Sequence, residues 1–437
     1  MMNEDQALSL AEEARRGAPA DQVEAMVWAE DLSLTRLAES FIHQNVAESN
    51  VRVTVRAVIG QQTGCATTNR TEPEELRATA EKAARLARNS APNPHFKSLP
   101  SPAPIAPVDA FAPATAASTP EARAAAAKEI IAAATRIGAI ASGSLSVSCG
   151  QFAVANSLGI RAAQPWSRAQ LVVIVADGEA SGYGEWQGKD LALLPVQEVA
   201  EVAAAKCALS RNIQPIAPGQ YTVVLEEPAV ADLVQFLAWL GLGATSFQEG
   251  RSFMCDQIGR QIAGEQITLW DDGHDPRLFP LAFDYEGVPK QKLVLIEKGI
   301  ARGLAYDSYT AGKEGKQSTG HALPATSTYG PFPLHLCLAP GDKSREELIS
   351  STERGLLVSR FHYTNVISPR ETIITGMTRD GTYLIENGRI VRPVQNLRFT
   401  QNILAALRKT ESLTREVKLS MDCLAPALKT TEFTFTS

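Results

Sequence analysis

Histidine is scarce in this chain: six among 437 residues, at 43, 95, 274, 321, 335 and 362. No two of them lie within five residues of each other. A zinc helix of the H-E-x-x-H kind needs two imidazoles about one turn apart, with a glutamate to activate water. No local segment here can build one. The six cysteines (Cys65, Cys149, Cys207, Cys255, Cys337 and Cys423) are far apart and form no C-x-x-C pair. That spacing argues against a zinc ribbon or a secreted disulfide framework and leaves free thiols in a reducing compartment as the expectation. There is no G-x-S-x-G elbow and no P-loop. Ser142, Ser144 and Ser181 read as turn residues, and the glycines at 178, 182 and 184 as a strand-end loop. Basic runs are also missing. With a net charge of −6 and nothing longer than pairs such as Arg15–Arg16, general electrostatic binding of nucleic acid is disfavoured. No apolar stretch approaches the roughly 20 residues of a membrane span. The acidic, amphipathic N-terminus does not read as a signal peptide. The expectation is a cytoplasmic protein with no membrane or nucleic-acid partner.

What the chain does have is ordinary core material, 44% hydrophobic and 21% charged residues, enough to fold without a metal or disulfide. Residues 4–16 read as a helix. Val23, Ala25 and Val27 suggest one strand, 32–42 its neighbour, and the period-two run at 51–59 another. A helix over 72–89 has glutamates at its start and basic residues towards its end, which suits the helix dipole. The Pro-, Ala- and Ser-rich stretch 90–118 reads as a long loop. A helix over 119–138, strands at 143–149, 151–156 and 169–177, and an Ala-rich helix over 195–210 follow. The segment Ile213-Gln-Pro-Ile-Ala-Pro-Gly marks a boundary. Beyond it come a strand at 221–225, an apolar helix from Pro228 to Leu242, and short strands with two hairpin signals, at 293–300 and 383–390. The predicted class is α+β in two domains: residues 1–212 with antiparallel strands and long helices, and residues 213–437, β-rich and barrel-like.

Candidate chemistry is thin. Glu226–Glu227 and Asp271–Asp272 are adjacent carboxylates, and sequence neighbours on a strand point to opposite faces. The Asp271-Asp-Gly-His-Asp-Pro run offers Asp271, His274 and Asp275 as metal ligands, or else a polar turn.

Several segments taken in order resemble one family: Ala155-Asn-Ser-Leu-Gly-Ile, Asp271-Asp-Gly, Gly381-Thr-Tyr-Leu-Ile-Glu-Asn-Gly-Arg-Ile-Val-Arg-Pro-Val and Asn402. They are similar to the TldD/PmbA family, whose PmbA branch is also called TldE and whose older description is modulator of DNA gyrase. The resemblance implies a heterodimeric metallopeptidase. Its D-type subunit binds zinc through an H-E-x-x-x-H helix and a later cysteine. Its E-type subunit lacks that motif and helps enclose a channel for unfolded peptides. Laid on the helix after the 221–225 strand, the motif positions fall at Gln235, Phe236 and Leu240, none of which can serve. Val230, Leu233, Val234, Leu237 and Leu240 would make this a packing helix. Cys423 lies near the expected cysteine position and reads as a packed thiol.

The resemblance therefore implies a metal-free E-type subunit, with zinc held by a TldD-like partner or the chain paired with itself, and an unfolded peptide as substrate. Thr319 and His321, in the 316–333 loop, are the candidate channel residues. Two other readings compete: a stand-alone zinc peptidase with a divergent site drawn from His274, His321 or Cys423, and a regulatory binding protein, a gyrase modulator or toxin–antitoxin partner.

Overall fold

The computed structural model describes residues 2–437. Its first half opens with α1 (Glu4–Arg16), held by a reciprocal capping box between Asn3 and Gln6. There follow β1 (Gln22–Ala38), β2 (Phe41–Ile59), β3 (Gln62–Thr68), α2 (Pro73–Asn89), the short α3 (Pro113–Ala116), α4 (Pro120–Arg136), β4 (Ile140–Asn156), β5 (Arg161–Asp177), β6 (Ala180–Gly188) and α5 (Val196–Leu209). The strands form one antiparallel sheet in the order β3-β2-β1-β4-β5-β6.

The strands are longer than their alternation predicts. The 23–27 segment and the 32–42 segment as far as Ala38 are one strand of 17 residues, with Phe41 and Ile42 already in β2, and 143–149 and 151–156 are likewise one strand. Polar residues such as Asp31 and Ser148 interrupt the pattern, yet neighbours on both sides keep the backbone extended. Gly150 lies where β1 and β4 touch: a Cβ there would sit 1.8 Å from the Ala29 carbonyl oxygen. The glycines at 182 and 184 are not a loop but the middle of β6. They let α5 lie directly on the strand, since a Cβ on Gly182 would come within 2.1 Å of the Ala203 oxygen and one on Gly184 within 2.3 Å of the Val199 oxygen.

Both faces of the sheet are covered. Val23, Ala25, Val27, Val53, Val55 and Ala57 alternate onto the helix side, against Ala7, Ala11, Leu76, Ala80 and Ala84. Met26, Phe152, Val154 and Trp166 point the other way and pack on Leu281, Ala282 and Phe283 from the second half. Beside this apolar seam Arg56 bridges Glu24 at 2.7 Å and Glu286 at 3.0 Å, all three buried or nearly so. Beyond β3 the outer edge of β2, from Phe41 to Arg52, has no strand beside it among the described residues.

The second half comprises β7 (Gly219–Leu225), α6 (Glu227–Leu237), α7 (Ala244–Gln248), β8 (Leu269–Asp271), β9 (Leu293–Glu297), β10 (Ile300–Ala301), α8 (Ser308–Lys313), β11 (Leu336–Leu338), α9 (Arg345–Ser350), β12 (Arg354–Ser368), β13 (Ile373–Glu386), β14 (Arg389–Pro393), β15 (Arg398–Asn402), α10 (Ile403–Arg408), β16 (Thr410–Ser420) and β17 (Cys423–Phe435). Its 11 strands form one mixed sheet, parallel where β11 meets β17 and where β12 meets β7. β17 pairs with β7 as well as with β15, so β7, β12, β13, β15 and β17 close into a ring. Both hairpin signals are hairpins, β9–β10 and β13–β14. The α+β class stands. The apolar helix differs in detail: its α-helical part stops at Leu237, and Ala238–Leu242 is a wider π-helical turn.

The close contact of β6 with α5 gives the first prediction. Gly182→Val, which forces the helix away, lowers stability by about 1–3 kcal/mol in urea unfolding. The same change at Gly312, where nothing lies within 4 Å of the added carbon, brings no such overlap.

Candidate functional site

Helix α6 enters the body through a charged collar. Glu226 is buried between the Lys206 ammonium, at 2.5 Å, and the Arg345 guanidinium, at 3.1 Å, and Arg345 also holds Glu227 at 2.7 Å. Burial by itself would raise the Glu226 carboxyl, but Lys206 and then Arg345 outweigh it and hold it below its ordinary range. From there Val230, Leu233, Val234 and Leu237 are inside the core, as their spacing predicts.

One stripe of the helix stays accessible. It runs from Gln235 and Phe236 to Trp239, one turn further on, whereas Asp232, one turn before them, is buried. Gln235 is half-buried, and its amide Nε2 donates to the Met421 carbonyl at 2.6 Å. Phe236 is half-buried and packs on the core. Leu240 is turned inward by the wide turn, 5% exposed, while Trp239 stands out at 57%. Trp239 meets Tyr329 and Phe332 edge to face, with centroids 5.5 and 6.3 Å away. Asp232, which the sequence reading passed over, accepts from the Thr364 hydroxyl at 2.6 Å. Burial pushes its carboxyl up to about 6, against Thr364 and Arg360, which pull it down.

These residues do not fit a zinc ion. The Gln235 amide is engaged, Phe236 is hydrocarbon and Leu240 is in the core. Cys423 starts β17 two residues beyond Met421, but it is fully buried, and burial holds its thiol well above the ordinary value. Among the described residues no three His, Cys, Asp or Glu side chains are gathered as a metal site. The Asp271, His274 and Asp275 alternative separates as well: Asp275 holds Arg277 at 2.6 Å, and Asp271 faces inward.

Asp271 is instead the hub of a buried cluster. It accepts from His321 Nε2 at 2.8 Å and from the backbone N–H of His335 at 2.6 Å, with the Lys290 ammonium 3.2 Å away. Burial would raise this carboxyl, yet Lys290 and then His321 prevail and hold it well below the carboxylate range. Burial, reinforced by Lys290, lowers His321 and takes His335 down to about 3, so both imidazoles are neutral. His321 Nδ1 lies 2.9 Å from the Thr319 hydroxyl. The order hydroxyl, imidazole, carboxylate is that of a nucleophile relay. Here, however, Thr319 Oγ1 already accepts from the Tyr306 N–H at 2.9 Å and lies 3.1 Å from the Tyr306 carbonyl, so it clasps one backbone unit. His321 is 1% exposed. The two candidate channel residues are therefore neighbours, as their spacing requires, but the imidazole faces the interior.

Comparison with known proteins adds three findings. Family models described as PmbA/TldA metallopeptidase domain 1, central domain and C-terminal domain match residues 36–87, 113–210 and 218–437. An uncharacterised protein of Methanocaldococcus jannaschii is 32% identical over 185 residues, 42% of this chain and 44% of the relative. A protein of Buchnera aphidicola named metalloprotease TldD homolog is 27% identical over 204 residues, 46% of this chain and 42% of the relative. The chain thus spans less than half the length of these curated relatives. The crystal structure of TldE from Thermococcus kodakarensis superposes with a TM-score of 0.89 at 22% identity, covering 98% of this chain and 99% of that one, which establishes likeness of fold.

Two predictions follow from the site. Asp232 binds its proton more tightly in the fold than its ordinary value of 3.8. Stability is unaffected by it at lower pH, falls as pH rises from about 4 to 6, and carries the full cost above that. Asp232→Asn therefore stabilises by up to about 3 kcal/mol at pH 8 and by almost nothing at pH 4, read from urea midpoints. Asp271→Ala strands the Lys290 ammonium in the interior and destabilises by about 3–5 kcal/mol, and adding Lys290→Met recovers part of that loss in thermal unfolding.

Proposed function

Since the chain belongs to the PmbA/TldD metallopeptidase family, we propose that it is a metal-free, E-type subunit of a two-part peptidase. It encloses unfolded peptide while a TldD-like partner supplies zinc and the activated water. The observation that carries this reading is the chemistry of α6 and the turn that ends it: an amide, a phenyl ring and a leucine (Gln235, Phe236 and Leu240) at the positions where the resemblance calls for two imidazoles and a carboxylate. Without a Lewis acid and its bound water, peptide hydrolysis loses several kcal/mol of barrier reduction.

Peptide binds extended in this reading, through main-chain hydrogen bonds to a strand edge. The assembly is a heterodimer with the TldD-like subunit, or a homodimer, in the cytoplasm. A stand-alone zinc site is less well supported. His321 is committed to Asp271, and Cys423 is buried on another strand. Direct action on DNA finds no support in a chain of net charge −6.

Co-expression with a motif-bearing relative tests the proposal. The two chains should purify together, and an unfolded peptide should be cut by the pair but not by either chain alone, with a chelator abolishing the cut. Chelator-sensitive cleavage by this chain alone would overturn it.

A further inference from the structure

A cavity of about 280 Å³ lies at the junction of the two halves, away from α6 itself. Trp28, Trp166 and Arg168 line it from the first sheet, and Phe279, Tyr285 and Asp422 from the second half. Trp28 and Trp166 stack at 4.7 Å with 27° between their planes, and Tyr285 tilts against Trp28 at 6.3 Å. Arg168 lies 4.3 Å above the Phe279 ring while binding both Asp422 oxygens, at 3.1 and 2.5 Å. Within this aromatic wall the Trp166 indole N–H is buried without a hydrogen-bond partner among the described residues. No neighbouring charge acts on the Tyr285 phenol, which burial alone pushes up to about 12.

These features select a ligand. The volume is at the small end for binding pockets, which suits one ring and a few linking atoms rather than a nucleotide. Arg168 is neutralised by Asp422, so the site favours a neutral group. Ring faces and edges on several sides favour a planar aromatic over an aliphatic chain. The rim residue Asp422 directly follows Met421, whose carbonyl holds Gln235 on the open stripe of α6. The rim of the cavity and the accessible stripe of α6 therefore meet at the Met421–Asp422 turn.

We infer that this junction cavity is a subsite for a neutral aromatic side chain, that of phenylalanine or tyrosine, in the bound peptide. The peptide as ligand rests on the function proposed above, whereas the aromatic preference rests on the cavity.

The test uses the whole chain labelled with 5-fluorotryptophan, its five tryptophans (28, 166, 186, 239 and 270) assigned by single Trp→Phe variants. Titration with N-acetyl-L-tyrosinamide should shift the fluorine signals of Trp28 and Trp166 in a saturable way. N-acetyl-L-leucinamide should shift them less, and Trp28→Phe, which keeps a ring in place, should weaken binding by ~3–10-fold. Shifts confined to Trp239, no saturable shift at all, or equal affinity for the leucine probe would each overturn the inference. Because no partner chain is present in the titration, its failure leaves the co-purification result standing, and failure of co-purification leaves the titration standing.

Discussion

One carboxylate organises the irregular part of this molecule. From Asp272 to His335 the chain forms few regular elements, and hydrogen-bonded ladders cannot hold it. Asp271, at the end of β8, gathers it by other means. It draws in Lys290 from the loop before β9, and His321 and the backbone of His335 from the two ends of the long loop before β11. The same loops carry Leu281–Phe283, which cover the first sheet, and Tyr329–Phe332, which flank Trp239. A buried ion pair of this kind contributes little net stability compared with an apolar replacement, but removing half of it is costly. Its value here is positional: a single charge fixes where two long loops must lie.

The first sheet imposes the complementary constraint. Its strands are apolar on both faces, so helices alone cannot bury it. The second half supplies the missing cover, and the polar groups trapped with it are paired across the seam: Arg56 with Glu286, Arg168 with Asp422, and Gln164 with the backbone of Pro280 and Ala282. The halves are thus joined by apolar burial and by specific polar pairs, of which Arg168–Asp422 keeps contact with solvent. The family models divide the chain before and after the 90–112 connection, yet strands from both of the first two segments belong to one sheet.

The regular elements were largely legible in the sequence because they obey local rules. The helix at 73–89 has its charges in dipole order, α4 opens with a Thr cap and Pro, and the hairpins at 293–301 and 383–393 turn on glycine. Strand lengths were not, because a strand paired on both sides tolerates polar breaks that periodicity reads as ends. The packing role of α6 was plain from its apolar spacing. Asp232 was missed, although one signal marks it: it is the lone carboxylate within that apolar run, one turn before Gln235. The Asp271 cluster was hidden, since its members are separated by up to 64 residues and meet only through the fold. The cavity was hidden for the same reason: Trp28 and Tyr285 lie on different halves, and nothing local marks them as neighbours.

The ring in the second half has a consequence for how the molecule is made. β7 finds its antiparallel neighbour in β17, and β12, its other neighbour, lies far downstream as well. The ring cannot close until the segment at 423–435 has left the ribosome, roughly two hundred residues after β7. The first sheet, complete by Gly188, meets its own cover at Leu281–Phe283 about a hundred residues later. At ~5–20 residues per second, that leaves Trp28, Phe152 and Trp166 open to solvent for about 5–20 s during each round of synthesis. Translation speed between residues 188 and 283, and any chaperone that shields aromatic surface in that interval, therefore bear on the yield of folded protein as directly as the finished core does.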